Sequence, residues 1–509
     1  MTRPLSPPAL ARNRSGAFRM VALLASGALL GKILGFAREL LMARVFGASL
    51  VADSFRGAGT AVLMPLTPLQ GEGVPAVMIP MHRAWQEQGK APEHFAALCA
   101  GLTAIAVLIA LAIEASGSWW VTLVMGRMEP EGQAIALTFI RVMAGWMPAS
   151  VLLNCLAAAE IATGRSRIAA LRPTVLNASV MTGIVLYAVT GKLLFLPVLF
   201  ALSFNVLGIW GVWTLGREGA LDPKGLRVDL IRRVLREFFG RLRPLMAQPL
   251  AEQGQVWLER IVASGFAVGT IASIDYARTL TDSAALLIAQ PIGMAVLYNG
   301  ISANPRAAAL AIAGPLLAVT VPASVFLAVF AKDIVTLIFA RGAFDETAVM
   351  LTSGALRGIA IGLWATALGM ILLRFLNNAG RNSRAALILA SAFVANAALN
   401  LLAWRLIGPL GNGTILIGFG EAARGLVLLA GTAVALGTLR PLLRLALLCA
   451  PLAAVMAALC IAIQEAWTGL WTHLLAGGVV CFATALVGVW LFGPGNIAAW
   501  RSHLAGVPE

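Results

Sequence analysis

Residues 31–53 read GKILGFARELLMARVFGASLVAD. The stretch lies in the first long apolar run of the chain, yet it carries Lys32, Arg38, Glu39 and Arg44. A charge in contact with lipid costs a few kcal/mol or more, so charged residues inside membrane segments usually face a bundle interior or a water-filled cavity. The remainder of the chain has to supply that bundle.

Its composition does so. Of 509 residues 59% are hydrophobic and 12% charged, and the mean hydropathy is +0.86. A soluble domain has about a quarter of its residues charged. The chain reads as an all-α polytopic membrane protein, long enough for about 12–14 helices of roughly 20 apolar residues each. The apolar runs are continuous rather than alternating, which argues against a membrane β-barrel. The net charge of +15 is read as Lys and Arg gathered in cytoplasmic loops, where they set topology, and not as a nucleic-acid surface. Cys99, Cys155, Cys449, Cys460 and Cys481 have no metal-ligand spacing and read as small apolar residues. His82, His94, His473 and His503 are scattered and suggest no zinc site. The run from Phe18 continues past Lys32 without a clear cleavage site, so it reads as a retained helix rather than a signal peptide.

Taken in order, residues 1–17 form a polar tail and residues 18–215 a lobe of six helices. Residues 216–244 form a basic linker, residues 245–438 a second six-helix lobe, and residues 439–509 two further helices with a tail. Predicted helix 2, at about 54–80, contains Pro65, Pro68, Gly71, Gly73, Pro75 and Pro80. Proline removes backbone donors, and broken helices in transporters often line substrate sites, although a kinked structural helix fits equally well. In the linker, VDLIRRVLREFFGRLRP (228–244) has the pattern of an amphipathic helix on the cytoplasmic surface. With both termini inside, the inside loops collect Arg83, Lys90, Arg165, Arg167, Arg172, the basic linker, Arg306, Arg381, Arg384 and Arg440, with Arg501 in the tail. The outside loops hold Arg127, Lys192 and Arg341. That asymmetry follows the positive-inside rule for about fourteen helices.

Further charges lie within predicted helices: Arg56 and Glu72 in helix 2, Glu252, Glu259 and Arg260 in helix 7, and Asp275, Arg278 and Asp282 on one face of helix 8. Lys32 and Glu39 share a face at about 100° per residue. Arg141, Arg357, Arg374 and the Glu421–Arg424 pair read as structural charges. Lys32, Arg38, Arg260 and Arg278 fall in the first two helices of each half and are the candidate ligands of an anion, since arginine grips phosphate in a fork and stays charged in a dry site. Glu39, Asp53, Glu72, Glu259, Asp275 and Asp282 would balance charge, bind a coupling cation, carry a proton or order a gate. A purely structural ion-pair network is the alternative.

The opening stretch resembles the MurJ (MviN-type) lipid II flippases of the MOP exporter superfamily. These share a pattern close to S-R-x-L-G-F-A-R-[DE]-x-x-x-A-x-x-F-G-x-x-x-x-x-D, which Asp53 closes here. Further echoes are GEG (71–73), the PTVLN region of 167–177, ASGFAVGTIASIDYARTL (263–280) and IFARGAFDETA (338–348). The resemblance implies two six-helix lobes in a V plus two added helices. It also implies flipping of an undecaprenyl-diphosphate-linked precursor from the inner to the outer leaflet by alternating access. By that pattern the family's GFAR arginine is Arg38, the acid after it Glu39, and an earlier family arginine is Lys32. Two positions depart from the family: PLTPLQGEG lacks an Arg-Arg pair, and Arg278 stands one place from the expected arginine.

The resulting expectation is an inner-membrane flippase for a polyprenyl-diphosphate-linked saccharide, either lipid II or an exopolysaccharide repeat unit. No cofactor or nucleic acid is expected; coupling to Na+, H+ or the membrane potential would drive transport, and a monomer suffices. A drug/cation antiporter, a membrane glycosyltransferase and a non-transporting scaffold remain as alternatives.

Overall fold

The computed structural model describes residues 7–71, 73–298, 305–407 and 413–492. Glu72 and the C-terminal tail with Arg501 therefore lie outside the described residues. The described chain is helical throughout, with no strand. It divides into two compact units, one of residues 1–45 and 54–257, the other of residues 46–53 and 258–509.

The first unit begins with α1 (Pro7–Phe46), so residues 7–17 continue the first helix instead of forming a separate tail. Pro7 and Pro8 stand in its first turn, where the missing amides would have no helical acceptor. Predicted helix 2 is divided into α2 (Leu50–Leu63), a 3-10 turn at Met64–Leu66, α3 (Thr67–Gln70) and α4 (Gly73–Glu87). Prolines and the extended Gly71 interrupt its backbone ladder. Next come α5 (Ala91–Ala115), α6 (Gly117–Met125), α7 (Pro130–Ala144), α8 (Met147–Ala162), α9 (Arg167–Thr190) and α10 (Phe195–Arg217). The linker forms α11 (Val228–Leu242), which buries Val234, Phe238 and Leu242 against α4 and α5 and exposes Arg232, Arg233 and Arg236.

After α12 (Ala247–Ala263) and α13 (Thr270–Tyr298), the second unit repeats the first. Its helices are α14 (Pro305–Val329), α15 (Ala331–Phe339), α16 (Glu346–Ile361), α17 (Leu363–Asn378), α18 (Asn382–Ile407) and α19 (Thr414–Leu436). From α5 to α10 the lengths are 25, 9, 15, 16, 24 and 23 residues; from α14 to α19 they are 25, 9, 16, 16, 26 and 23. Both series bend between their third and fourth helices, by 43° and 50°. Matching lengths and bends mark an internal duplication. The short α6 and α15 fall where the sequence suggests loops. Finally α20 (Leu439–Ala466) and α21 (Leu470–Phe492) pack on α14, where Gly477 lies against Phe330 and Gly488 against Ala318.

Eight described helices are long and apolar enough to cross a membrane, and the two bent pairs raise that to ten. Besides these stand α1, the broken α2–α4, α12 and α13. They correspond to predicted helices 1, 2, 7 and 8, which hold Arg38, Glu39, Glu259 and Arg260, and with them the expected fourteen are reached.

Candidate functional site

In the first unit α1 meets α9 along Gly27, Gly31 and Gly35, which lie against Ala170, Pro173 and Asn177. Small residues at four-residue spacing let two helices approach closely. That approach sets Asn177 beside Arg38. The Arg38 Nη1 donates to Asn177 Oδ1 at 3.0 Å, and Asn177 Nδ2 donates to the Gly31 carbonyl at 2.9 Å. Arg38 Nη2 pairs with Glu39 Oε1 at 2.5 Å, and Arg56 Nη2 with Glu39 Oε2 at 2.6 Å. Glu39 is buried between two guanidinium groups, while Arg38 is partly exposed. Lys32 is exposed and pairs with neither. Its predicted face-mate Glu39 takes its partners from the next residue and from α2. Arg38 keeps an accessible edge beside this carboxylate, and Lys32 lies exposed about two turns away on the same helix.

In the second unit the expected cations are all engaged. Arg260 Nη2 lies 2.7 Å from both oxygens of Asp275, and its Nη1 donates to the Ile271 carbonyl at 3.3 Å. Arg278 Nη2 bridges Glu259 Oε2 and Glu421 Oε1, the latter at 2.6 Å, and its Nη1 is 3.8 Å from Asp275. Glu421 also accepts from Arg424 at 2.6 Å and from Asn396 at 3.1 Å, and Asn400 donates to Asn396 at 2.7 Å. Arg260, Arg278 and Arg424 thus meet Glu259, Asp275 and Glu421 in one partly buried network. Asp282 is exposed further along α13.

Residues 46–53 build the third constellation. Asp53 Oδ2 accepts from the Gly269 amide at 2.8 Å and Oδ1 from the Ala272 amide at 2.7 Å, capping α13 through space. The Tyr276 hydroxyl donates to the Gly47 carbonyl at 3.0 Å. Gly47 and Gly269 have φ of +60° and +87°, and a Cβ on either would fall 2.2–2.3 Å from a backbone oxygen, of Ala343 and Ala48 respectively. Glycine is required at both by conformation and by contact. This explains the FG (46–47) and VGT (268–270) parts of the motif.

Past the second span, His82 is buried beside Phe95 and has a partnerless Nδ1. It lines a cavity of about 440 Å³ with Gln86, Glu160, Arg165 and Glu218. Burial pushes its imidazole below the ordinary range.

Arg56, Asn177, Asn396 and Glu421 were not among the sequence candidates. Asparagines buried in apolar helices are the signal that would have pointed to two of them. Among the described residues no cluster of three or more His, Cys, Asp or Glu side chains is arranged to hold a metal ion.

Comparison with known proteins accords with this architecture. A solved structure of the lipid II flippase MurJ in an inward closed conformation superposes with a TM-score of 0.80 at 15% identity, covering 94% of this chain and all of that one. An inward-facing MATE multidrug resistance transporter of the MOP superfamily gives 0.64, also at 15% identity, covering 81% of this chain and 96% of its own. These two likenesses concern the fold. A lipid II flippase MurJ of Burkholderia cenocepacia is 27% identical over 388 residues, 70% of this chain and 72% of that protein. Residues 42–488 match the family model described as Lipid II flippase MurJ. The chain therefore belongs to the MurJ family, a family of multi-pass inner-membrane flippases.

Proposed function

We propose that the protein moves a polyprenyl-diphosphate-linked saccharide from the inner to the outer leaflet by alternating access. The observation that carries this reading is the pair of accessible cations on α1, Arg38 and Lys32. Arg38 is held by Glu39 and Asn177 but keeps an exposed edge, and Lys32 is exposed on the same helix. A diphosphate is a fitting partner for these two cations, and a guanidinium fork suits its oxygens. Glu39 holds Arg38 and Arg56 in place, and Asn177 sets the tilt of the guanidinium. Asp53, as the cap of α13, is the candidate gating residue. A cationic site disfavours cationic drugs, which separates this reading from a MATE-like antiporter.

The carboxylates Glu259 and Asp275 already face arginines, so their role in this reading is to neutralise Arg278 and Arg260 rather than to bind a coupling ion. Arg260 and Arg278 in turn are structural partners more than ligands.

The test is complementation of a strain depleted of its essential lipid II flippase, using wild type and Arg38→Ala side by side. Rescue by wild type alone supports lipid II as substrate and Arg38 as its ligand. No rescue, with the protein present in the membrane, supports a different diphosphate-linked glycan such as an exopolysaccharide unit. Equal rescue by both removes Arg38 from the site.

A further inference from the structure

Arg141 and Arg357 occupy the same place in the two halves. Each lies in the first helix of a bent pair, α7–α8 or α16–α17, four or five residues before the glycine at the bend, Gly145 or Gly362. Both side chains are exposed, and neither makes an ion pair or hydrogen bond among the described residues. Arg357 lies about 16 Å along its helix from Glu346, well inside a span. An arginine facing acyl chains at such depth is costly, and here the same cost would be incurred twice at equivalent positions.

For Arg141 the exposed face points to water instead, while Arg357, whose exposed stripe also carries Met350 and Ile361, is placed by a cavity with polar lining. The exposed stripe of α7 that bears Arg141 consists of Ala134, Thr138, Arg141 and Gly145, without one large apolar side chain. By contrast α10 exposes Leu202, Val206, Ile209 and Trp213, as a lipid-facing helix does. Arg357 lines a cavity of about 500 Å³ in the second unit with Lys332, Glu346, Thr347 and Ser353. There Lys332 and Arg357 outnumber the one acid. The arginines expected to serve this unit, Arg260 and Arg278, are neutralised by carboxylates.

We propose that Arg141 and Arg357 are substrate-binding residues, each engaging within its own unit the anionic diphosphate of the lipid-linked substrate. This rests on the flippase reading above and adds the ligands that the second unit otherwise lacks.

The test uses the full-length protein in nanodiscs and measures binding of undecaprenyl diphosphate and undecaprenyl monophosphate. The variants are Arg141→Gln, Arg357→Gln, their double and their Lys counterparts, with Lys192→Gln as a control for bulk charge. The expected result is preference of the wild type for the diphosphate and at least about tenfold weaker diphosphate binding in each Gln variant, since a charge-assisted contact is worth about 1.5–3 kcal/mol. Lys variants should fall between, the control should be unchanged, and thermal unfolding should not shift. Wild-type preference retained in full by the double variant overturns the inference alone. A wild type that does not prefer the diphosphate overturns the flippase reading and the inference with it.

Discussion

Arg278→Gln is expected to destabilise the protein before it affects any ligand. One guanidinium joins Glu259 of α12 to Glu421 of α19 and approaches Asp275. After the substitution Glu421 keeps Arg424 and Asn396. Glu259, fully buried and with its Oε1 already partnerless, keeps no ion pair among the described residues. Removing one member of a buried pair costs about 3–5 kcal/mol, whereas removing both is often close to neutral. The double variant Glu259→Gln/Arg278→Gln should therefore recover about 2 kcal/mol or more of the loss, a coupling within the range for residues in direct contact. Unfolding in detergent can be followed through the fluorescence of the 13 tryptophans. A single variant as stable as wild type, or losses that simply add in the double, would refute the structural role and return Arg278 to the substrate.

Two further expectations concern other regions. Asp53→Ala removes the cap shared by the Gly269 and Ala272 amides; it should cost about 0.5–2 kcal/mol and speed amide exchange at the start of α13, and unaltered exchange there would reject the cap. The buried His82 titrates lower in the folded than in the unfolded protein. The unfolded state therefore binds more protons below about pH 6.5, and stability should fall as pH drops below that value. His82→Gln should remove this part of the pH dependence of the melting temperature; identical slopes for wild type and variant between pH 7.5 and 5.5 would reject the assignment.

The membrane class and the two repeated halves are legible in the sequence, because they rest on long apolar runs, and Arg38 stands out there as a charge misplaced within one. The charges single out α1, α2–α4, α12 and α13, where Arg38, Glu39, Arg56, Glu259, Arg260 and Arg278 lie. What the sequence conceals is the partner of each charge. A helical wheel groups Lys32 with Glu39, but it carries no information about α2, which brings Arg56. Glu421 and Arg424 do pair at i,i+3, yet the same carboxylate also holds Arg278, 143 positions earlier in the chain. Asn177 is 139 positions from Arg38. Such pairings are set by packing, here by three glycines of α1, and not by local pattern. Arg141 and Arg357 look alike in sequence to any snorkelling arginine; their equivalence needs the bends and the exposed faces.

Residues 46–53 belong to the second unit while both flanks belong to the first. The peptide backbone therefore passes from one unit to the other three times, after residues 45, 53 and 257. A gene split within the linker at 216–244 would not yield two self-sufficient fragments. The N-terminal piece would carry off Asp53 and Gly47, leaving the amides at the start of α13 uncapped and the Tyr276 hydroxyl without its acceptor. Fragment complementation would be obligatory in one direction, since the C-terminal piece depends on eight residues encoded in the other half. The second copy is thus tied to the first by a loan of backbone and cannot stand without it.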